Sequence, residues 1–588
     1  MNRRQKILIS LSLLLLAFGI VVLRLQPTEY RISMYGQVPL FLLIGVSILS
    51  LMGVISAVYD IWNGDNAILS YTPIYLYMGG LILLPWLLGY VVRYGDPMVK
   101  LGNTRDVISG EALESGLTGL DKYPLFHFDV AIISVITDQS PYLIMGFLSL
   151  ILAGIFLITI ISIGRYYRIS ASPIILFVPL VFHSSLRSLN PSSMAYLTIF
   201  PSLLLVYHHL IQRDDYQLIW SLLFFILGAA LWVQHLFIAM IAILVIGVSV
   251  IGLKIAKKSG FTASTTVSHP SLTILLSILG FIWFRYGPGE LLSVAALTAG
   301  QALGLLYRRD PHQPIPDGDT GYLFSELGFS IIDVGVLAFY RFGGYIILLG
   351  VGGLGGASYL ILARDKRPWP YVMPAVVIIG LGWALVELTI GVVPSINWIR
   401  ILRLAAIGAP ILCGWIVIRW VSPKDHVSTA VRSFSAILLA ILLITGLFAT
   451  AGGMYGAPHS TSGNSYTTNP DIEGWNWFFD HKVMDETVIT LGRDMTRYAE
   501  LSLTAKEEEQ RIRYLNQDVF APAHFQTSNG TIFNRGGIYY MSDQRSQIMH
   551  LNIGNTDEFT EAELDRVRHS TPQVNVIYDN GFTYFGRT

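Results

Sequence analysis

The sequence predicts an α-helical polytopic membrane protein of about thirteen transmembrane helices, with a small C-terminal extracytoplasmic α/β domain. Three observations lead there. Apolar runs of 18 residues or more recur along the chain up to residue 450, each long enough to cross a ~30 Å hydrocarbon core. Only 13% of the 588 residues are charged and 53% are apolar, with a mean hydropathy of +0.55; a soluble chain carries about 25% charge. Beyond residue 450 the composition turns polar. Lys plus Arg and Asp plus Glu stand at 39 each, so the overall charge points to no nucleic acid. The single cysteine, Cys413, falls in an apolar span, which excludes an intramolecular disulfide and a cysteine metal cluster.

The first run follows Asn2-Arg3-Arg4-Gln5-Lys6 and ends on Leu23-Arg24-Leu25-Gln26 rather than on a small-residue cleavage site, so it reads as an uncleaved first span over 7–23. The others fall at 38–60, 69–92, 141–163, 171–188, 192–210, 216–234, 237–254, 271–286, 337–363, 371–393, 397–419 and 432–450. Stretches 128–137 and 290–306 are too short or interrupted to cross, and read as interfacial or re-entrant helices. With the N terminus in the cytoplasm, the inner loops carry Arg165 and Arg168, Arg213, Lys254, Lys257 and Lys258, then Arg364, Lys366 and Arg367, and Arg419, Lys424 and Arg432. That follows the positive-inside rule at every inner turn except 61–68. The N terminus is then cytoplasmic, and loops 93–128 and 287–336 and the tail 451–588 lie outside a multi-pass protein of the cell membrane.

The tail reads as a folded α/β unit: a strand at 487–491, a charged helix from Thr504 to Tyr514, and a capping box at Thr560-Glu561-Ala562-Glu563 opening another helix. Asp579-Asn580-Gly581 between two apolar stretches signals a hairpin. No acidic or histidine constellation marks the tail as a seat of chemistry. Two domains result, 1–450 and 451–588.

The most informative segment is Gly95-Asp96-Pro97-Met98-Val99-Lys100-Leu101-Gly102-Asn103-Thr104-Arg105-Asp106, which opens a charged loop closing on Tyr123-Pro124-Leu125-Phe126-His127. Asp followed by Pro begins helices, the carboxylate as N-cap and the proline at the first position. Met98, Leu101 and Ile108 would then line one side of a helix lying on the membrane surface. Whether the carboxylate also acts is a separate question.

The glycine, the Asp-Pro pair, the basic residue four positions on and the following Arg-Asp resemble the first outer loop of the GT-C superfamily of integral-membrane glycosyltransferases. Tyr123 and His127 resemble the segment that leads those proteins into the next membrane helix. The resemblance implies a GT-C-like bundle and a hexosyltransferase-type enzyme. It would move a sugar from a polyprenyl (dolichyl or undecaprenyl) phosphate donor to a lipid-linked glycan or to a protein or other surface acceptor at the outer face. It implies Asp96 as general base or metal ligand, with a divalent cation such as Mg or Mn as the cofactor, and Tyr123 and His127 as acceptor or loop residues. Two departures stand beside it. The loop follows the third span instead of the first, and Trp475-Asn476-Trp477-Phe478-Phe479-Asp480 lacks the Trp-Trp-Asp motif of the asparagine-modifying members.

Glycosyl transfer from a lipid phosphate needs a base for the acceptor hydroxyl, cations for the departing phosphate and a greasy groove for the chain. Asp96 and Asp106 are the catalytic candidates, with Glu111 and Asp129 as substitutes. Lys100, Arg105, Arg285, Arg308, Arg309, Arg400 and Arg403 are the outer-side cations for phosphate; each arginine has a second reading as a residue snorkelling to the interface. Arg403 and Glu387 sit at similar depth and read as an ion pair. His183, His208, His209 and His235 show no ligand spacing, and Asp317-Gly318-Asp319 reads equally as a turn. Two other functions fit the composition. A polysaccharide polymerase or ligase would centre on 287–336, and a transporter would use the glycine run at 350–356, which close helix packing explains as well.

Overall fold

In the computed structural model, residues 3–26, 33–93, 95–111, 124–182, 191–212, 217–258, 270–286, 331–362, 398–423, 427–455, 466–481, 488–490, 495–504, 517–519, 538–542, 575–580 and 583–587 are described, with isolated positions from 373 to 384 and at 507. The chain opens on α1 (Arg3–Arg24), α2 (Leu40–Asn63) and α3 (Thr72–Leu87), which pack on one another. Two shorter helices follow, α4 (Asp96–Ser109) and α5 (Pro124–Thr137), and then α6 (Pro141–Tyr166). The bundle continues through α7 (Ala171–Ile175), α8 (Pro191–Met194), α9 (Phe200–Gln212), α10 (Gln217–Gln234), α11 (Leu236–Lys258) and α12 (Pro270–Tyr286). It closes with α13 (Ile331–Leu362), α14 (Trp398–Trp420) and α15 (Thr429–Met454). Eight helical segments among the described residues are long and apolar enough to cross a membrane, which makes this a multi-pass membrane protein.

Two predicted spans are corrected. The helix expected over 69–92 stops at Leu87, and Tyr90–Arg93 leaves as an extended segment after Gly89, whose φ is +81°. The span expected over 171–188 breaks into α7 and a 3-10 turn at Val178–Val181, because Pro179 has no N–H to return to the Ile175 carbonyl. A π-helical stretch at Ala195–Ile199 precedes Pro201, which has no N–H to return to the fourth residue back. Glu387 and the 290–306 stretch lie outside the described residues.

The glycine run of α13 is a packing seam. A Cβ on Gly352 would come within 2.9 Å of the Ala409 methyl, and one on Gly355 would strike the Leu412 carbonyl, so α13 and α14 approach backbone to backbone. At the other end of α2, Asp60 is fully buried and takes bonds from Arg4, Gln5 and Ser70. Arg432 donates to the Trp62 carbonyl at 2.7 Å. The acidic 61–68 turn, the exception to the basic pattern, thus receives its positive charge from α1 and α15.

The tail folds as predicted in kind. It holds α16 (Asn469–His481), α17 (Met495–Ser502) and strands β1 (Val488–Thr490), β2 (Gln517–Val519), β3 (Ile538–Ser542), β4 (Asn575–Asp579) and β5 (Thr583–Arg587). The sheet order is β2-β1-β3-β5-β4, parallel across β1 and antiparallel across β5. β4 and β5 form the hairpin read from Asp579-Asn580-Gly581. Thr504 and Glu507 exchange side-chain and backbone bonds at 3.0 and 3.3 Å, a capping box at the start of the predicted charged helix. Trp475 is the centre of the tail core, stacked on Tyr498 with centroids 4.9 Å apart and edge-on to Phe585. The Thr560–Glu563 box lies outside the described residues.

Candidate functional site

The Asp96 loop is assembled from both ends of the chain. Tyr90–Arg93 pairs antiparallel with the tail: Val91 N–H donates to Thr467 O at 3.0 Å, Thr467 N–H to Val92 O at 2.7 Å, and Arg93 bridges Tyr466. Gly95 then takes φ +100° and ψ −140°, a conformation that side chains resist, and turns the chain into α4. This corrects the expected cap. Gly95 is the N-cap, Asp96 the first helical residue and Pro97 the second, with no side-chain cap bond. The Asp96 carboxylate is exposed at the positive end of the helix, a favourable place for an anion.

One turn on, Lys100 is buried at 8% exposure. Burial lowers its amine to a pKa of about 8 against the upward pull of Asp96 and Glu500, while Arg497 lowers it further. It sits under the helix as a half-masked charge linking Asp96 to the tail. Thr104 donates to the Lys100 carbonyl at 2.8 Å and lies 3.3 Å from His127 Nδ1. His127 is fully buried, its Nε2 has no hydrogen-bond partner among the described residues, and burial with the Lys100 charge takes its pKa down to about 3. The ring is neutral and packs beneath α4, so the acceptor or loop contact expected of it is replaced by a packing part.

Arg105 is also redirected. Its guanidinium donates to the carbonyls of Leu501, at 2.7 Å, and Leu503, and lies 3.5 Å from Asp106. Those carbonyls close the C-terminal end of α17, so Arg105 caps a tail helix from the loop. Asp106 is buried beside it at 8% exposure. Gly102 makes this approach possible, since a Cβ there would overlap the Glu500 carbonyl. The buried face of α4 is therefore Pro97, Met98, Lys100, Leu101, Gly102, Thr104 and Asp106, while Ile108 is exposed at 40%. The helix lies under the tail, packed between α5 and α17, rather than open on the membrane surface.

The other sequence candidates are dispersed. Arg403 is half-buried in the first turns of α14. Arg285 and Arg400 belong to α12 and α14, but their side chains fall outside the described ones, as do Tyr123, Arg308 and Arg309 altogether. Asp129 on α5 is half-buried, and burial raises its pKa to about 6. Glu111 is half-buried beyond the end of α4. Among the described residues no group of three His, Cys, Asp or Glu side chains could share a metal ion. Asp96 therefore has no described partners for a cation site.

A groove of about 640 Å³ that no sequence motif marks lies between α3 and α6, beside the loop. It is lined by Tyr90, Arg93, Pro97, Tyr142 and Tyr466 on the loop side and by Ile82, Leu83, Trp86, Met145, Gly146 and Ser149 along α3 and α6. Trp86 carries in the sequence only the signal of an interfacial aromatic. Arg93 carries no spacing signal of its own, and Glu500 meets Lys100 only through the tail fold.

Fold and site together define a multi-pass helical membrane protein whose charged loop helix is clamped at one end of the bundle by a soluble domain. No protein-family model matches the chain, and no curated protein matches it by sequence. Among solved structures it is similar to ArnT from Cupriavidus metallidurans. The apo structure is 10% identical, covering 88% of this chain and 96% of that one with a TM-score of 0.41. The structure bound to undecaprenyl phosphate is 11% identical, covering 88% and 97% with a TM-score of 0.40.

Proposed function

We propose that the protein is a membrane glycosyltransferase of the hexosyltransferase type, moving a sugar from a polyprenyl phosphate donor to a lipid-linked glycan or surface acceptor. The observation that carries this reading is Asp96, an exposed carboxylate on a helix that Lys100, Thr104, Arg105 and Gly102 fix against α5 and α17. A base must be positioned before it can act, and this one stands on a rigid element.

In the reaction the Asp96 carboxylate takes the proton of the acceptor hydroxyl. The hydroxyl oxygen bonds to the anomeric carbon, the bond from that carbon to the phosphate oxygen breaks, and its electron pair leaves on the polyprenyl phosphate. Lys100 supplies positive charge one turn below Asp96. Arg403, Arg285, Arg400, Arg308 and Arg309 are the further cations proposed for the departing phosphate. Asp106, buried against Arg105, supports the helix. The described residues do not form a metal site at Asp96, and the transfer is derived without one. The tail, with the Trp475 core and no described acidic cluster, acts as a clamp. The basic inner loops favour a cytoplasmic N terminus, with loop and tail outside.

The test is donor turnover. Purified protein in liposomes, given radiolabelled polyprenyl-phosphate sugars and cell-envelope acceptors, releases free polyprenyl phosphate; undecaprenyl phosphate, the lipid in one of the similar structures, is the first carrier to try. No release across a panel of sugars on dolichyl and undecaprenyl carriers would contradict the proposal.

A further inference from the structure

The tail carries a column of aromatic rings at its surface. Along α16, Glu473, Trp477 and His481 follow one another at four-residue spacing and so share one stripe of the helix. Facing that stripe is β4, the outer strand of the described sheet, where Tyr578 stands opposite Phe585 after a bulge at Ile577. Trp477 stacks on Tyr578 with centroids 4.6 Å apart and on His481 at 4.8 Å. The two outer rings make no ring contact with each other among the described residues, so Trp477 is sandwiched between them. His481 donates from Nδ1 to the Trp477 carbonyl at 2.8 Å, which pins the ring and leaves Nε2 as an acceptor. Asn580 donates to the Pro470 carbonyl at 2.9 Å and holds the hairpin against the start of α16. Trp475, Phe478 and Phe585 close the core beneath, whereas Trp477 and Tyr578 are half-buried and His481 is exposed. The column is a rigid surface feature lying on top of that core.

The charges beside it narrow the occupant. The exposed charged residues of α16 and β4, apart from His481 itself, are Glu473, Asp480 and Asp579, all acidic. Carboxylates accept hydroxyl protons and repel phosphate, so an anionic ligand is disfavoured here. Size disfavours a protein partner. A whole aromatic side chain covers ~150–250 Å², so three partly covered ones fall short of the ~800 Å² per side that stable complexes bury. A sugar ring has the complementary parts: a face of C–H groups for the electron-rich rings, and an edge of hydroxyls for the carboxylates. We propose that the His481–Trp477–Tyr578 column binds a neutral hexose-type unit of a glycan. Its C–H face lies on the His481 ring and the open edge of the column, and its hydroxyls donate to Glu473, Asp480 and His481 Nε2. Trp477 lies about 12 Å along α16 from Asn469, and Thr467 just before that helix pairs with the strand entering the Asp96 loop. The tail thus holds the glycan at the end of the bundle that carries Asp96. The glycan's role as acceptor rests on the glycosyltransferase reading; the binding itself is independent of turnover.

The experiment is a saturation-transfer NMR titration on the full chain in phosphatidylcholine nanodiscs. The probes are neutral trisaccharides of glucose, mannose, galactose and N-acetylglucosamine, with mannose and mannose 6-phosphate as a matched pair. At least one trisaccharide is expected to bind, with saturation strongest on its ring C–H protons, and mannose 6-phosphate is expected to bind more weakly than mannose. His481→Ala removes an exposed ring and is expected to keep the melting temperature while weakening the sugar about tenfold or more; His481→Phe, which restores a ring face, should recover most of it. Tyr578→Ala should weaken the sugar similarly, and Tyr578→Phe should not. No trisaccharide bound at about 10 mM, or wild-type affinity in both His481→Ala and Tyr578→Ala, would overturn the proposal. Tighter binding of mannose 6-phosphate than of mannose would overturn the neutral-sugar assignment. Cross-linking of a His481→Cys protein to a second copy in place of sugar binding would also overturn it, and would make the column an interface between chains. Sugar binding at the column by a wild-type protein that transfers no sugar defeats the enzyme reading alone.

Discussion

His127 is a buried neutral imidazole, and its environment makes a prediction with a definite sign. Burial and the Lys100 charge lower its pKa from 6.5 to about 3 in the fold. Between those values the unfolded chain binds a proton that the folded chain refuses, so stability falls as pH drops through this window. Asp129 works in the opposite sense. Burial raises its pKa from 3.8 to about 6, so it is protonated first in the fold and adds stability as pH falls through that range. His127→Asn removes the titrating ring while keeping a polar atom for Thr104. Its melting temperature should fall less than the wild type's between pH 7 and 4.5, in nanodiscs; an equal fall in both proteins would show that the ring is not protected. At this level the sequence was half legible. The Gly-Asp-Pro pattern located the turn and the exposed carboxylate. It misplaced the cap by one residue, because only the φ of Gly95 reveals that the glycine, not the aspartate, stands before the first turn.

Helix α4 is defined by what lies across it. Gly102 lets the Glu500 backbone touch it, and Arg105 closes the end of α17. Gly102→Ala pushes a methyl into that backbone, an overpacking that typically costs about 1–3 kcal/mol. Limited proteolysis should then cut the tail faster, with the bundle itself intact; tail protection equal to wild type would mean that α17 does not dock through this glycine. Where elements are governed by local signals, the sequence showed them. The β4–β5 hairpin followed from Asn580-Gly581, β1 from its apolar run, and most long helices from their length. The broken span after Ala171 was also visible, in Pro179, but an uninterrupted apolar composition masked it. The docking of α17 on α4 was not visible, since it joins residues almost 400 positions apart and leaves no periodic trace in either segment.

The tail and the Asp96 loop share one end of the bundle, joined by the Val91–Thr467 ladder and by α4 against α17. We propose from the basic inner loops that this end faces outside. Cys413 is fully buried and should stay silent to thiol reagents, so single cysteines report cleanly. Ser109→Cys and Asp480→Cys, both at exposed positions, should react with an impermeant maleimide on intact cells, and Thr429→Cys, at the exposed start of α15, only after permeabilisation. The reverse pattern would invert the topology. The central claim is that the exposed carboxylate at the start of α4 takes the acceptor proton, and Asp96→Asn tests it most directly. Asparagine keeps the shape and loses the base. A charge at a helix start contributes about 0.3–1 kcal/mol, so expression and melting should change little. A general base contributes about 10²–10⁴-fold, so release of polyprenyl phosphate from the labelled donor should drop at least ~100-fold. Turnover near the wild-type rate in a stable Asp96→Asn protein would contradict the account and leave Asp96 a helix-starting residue.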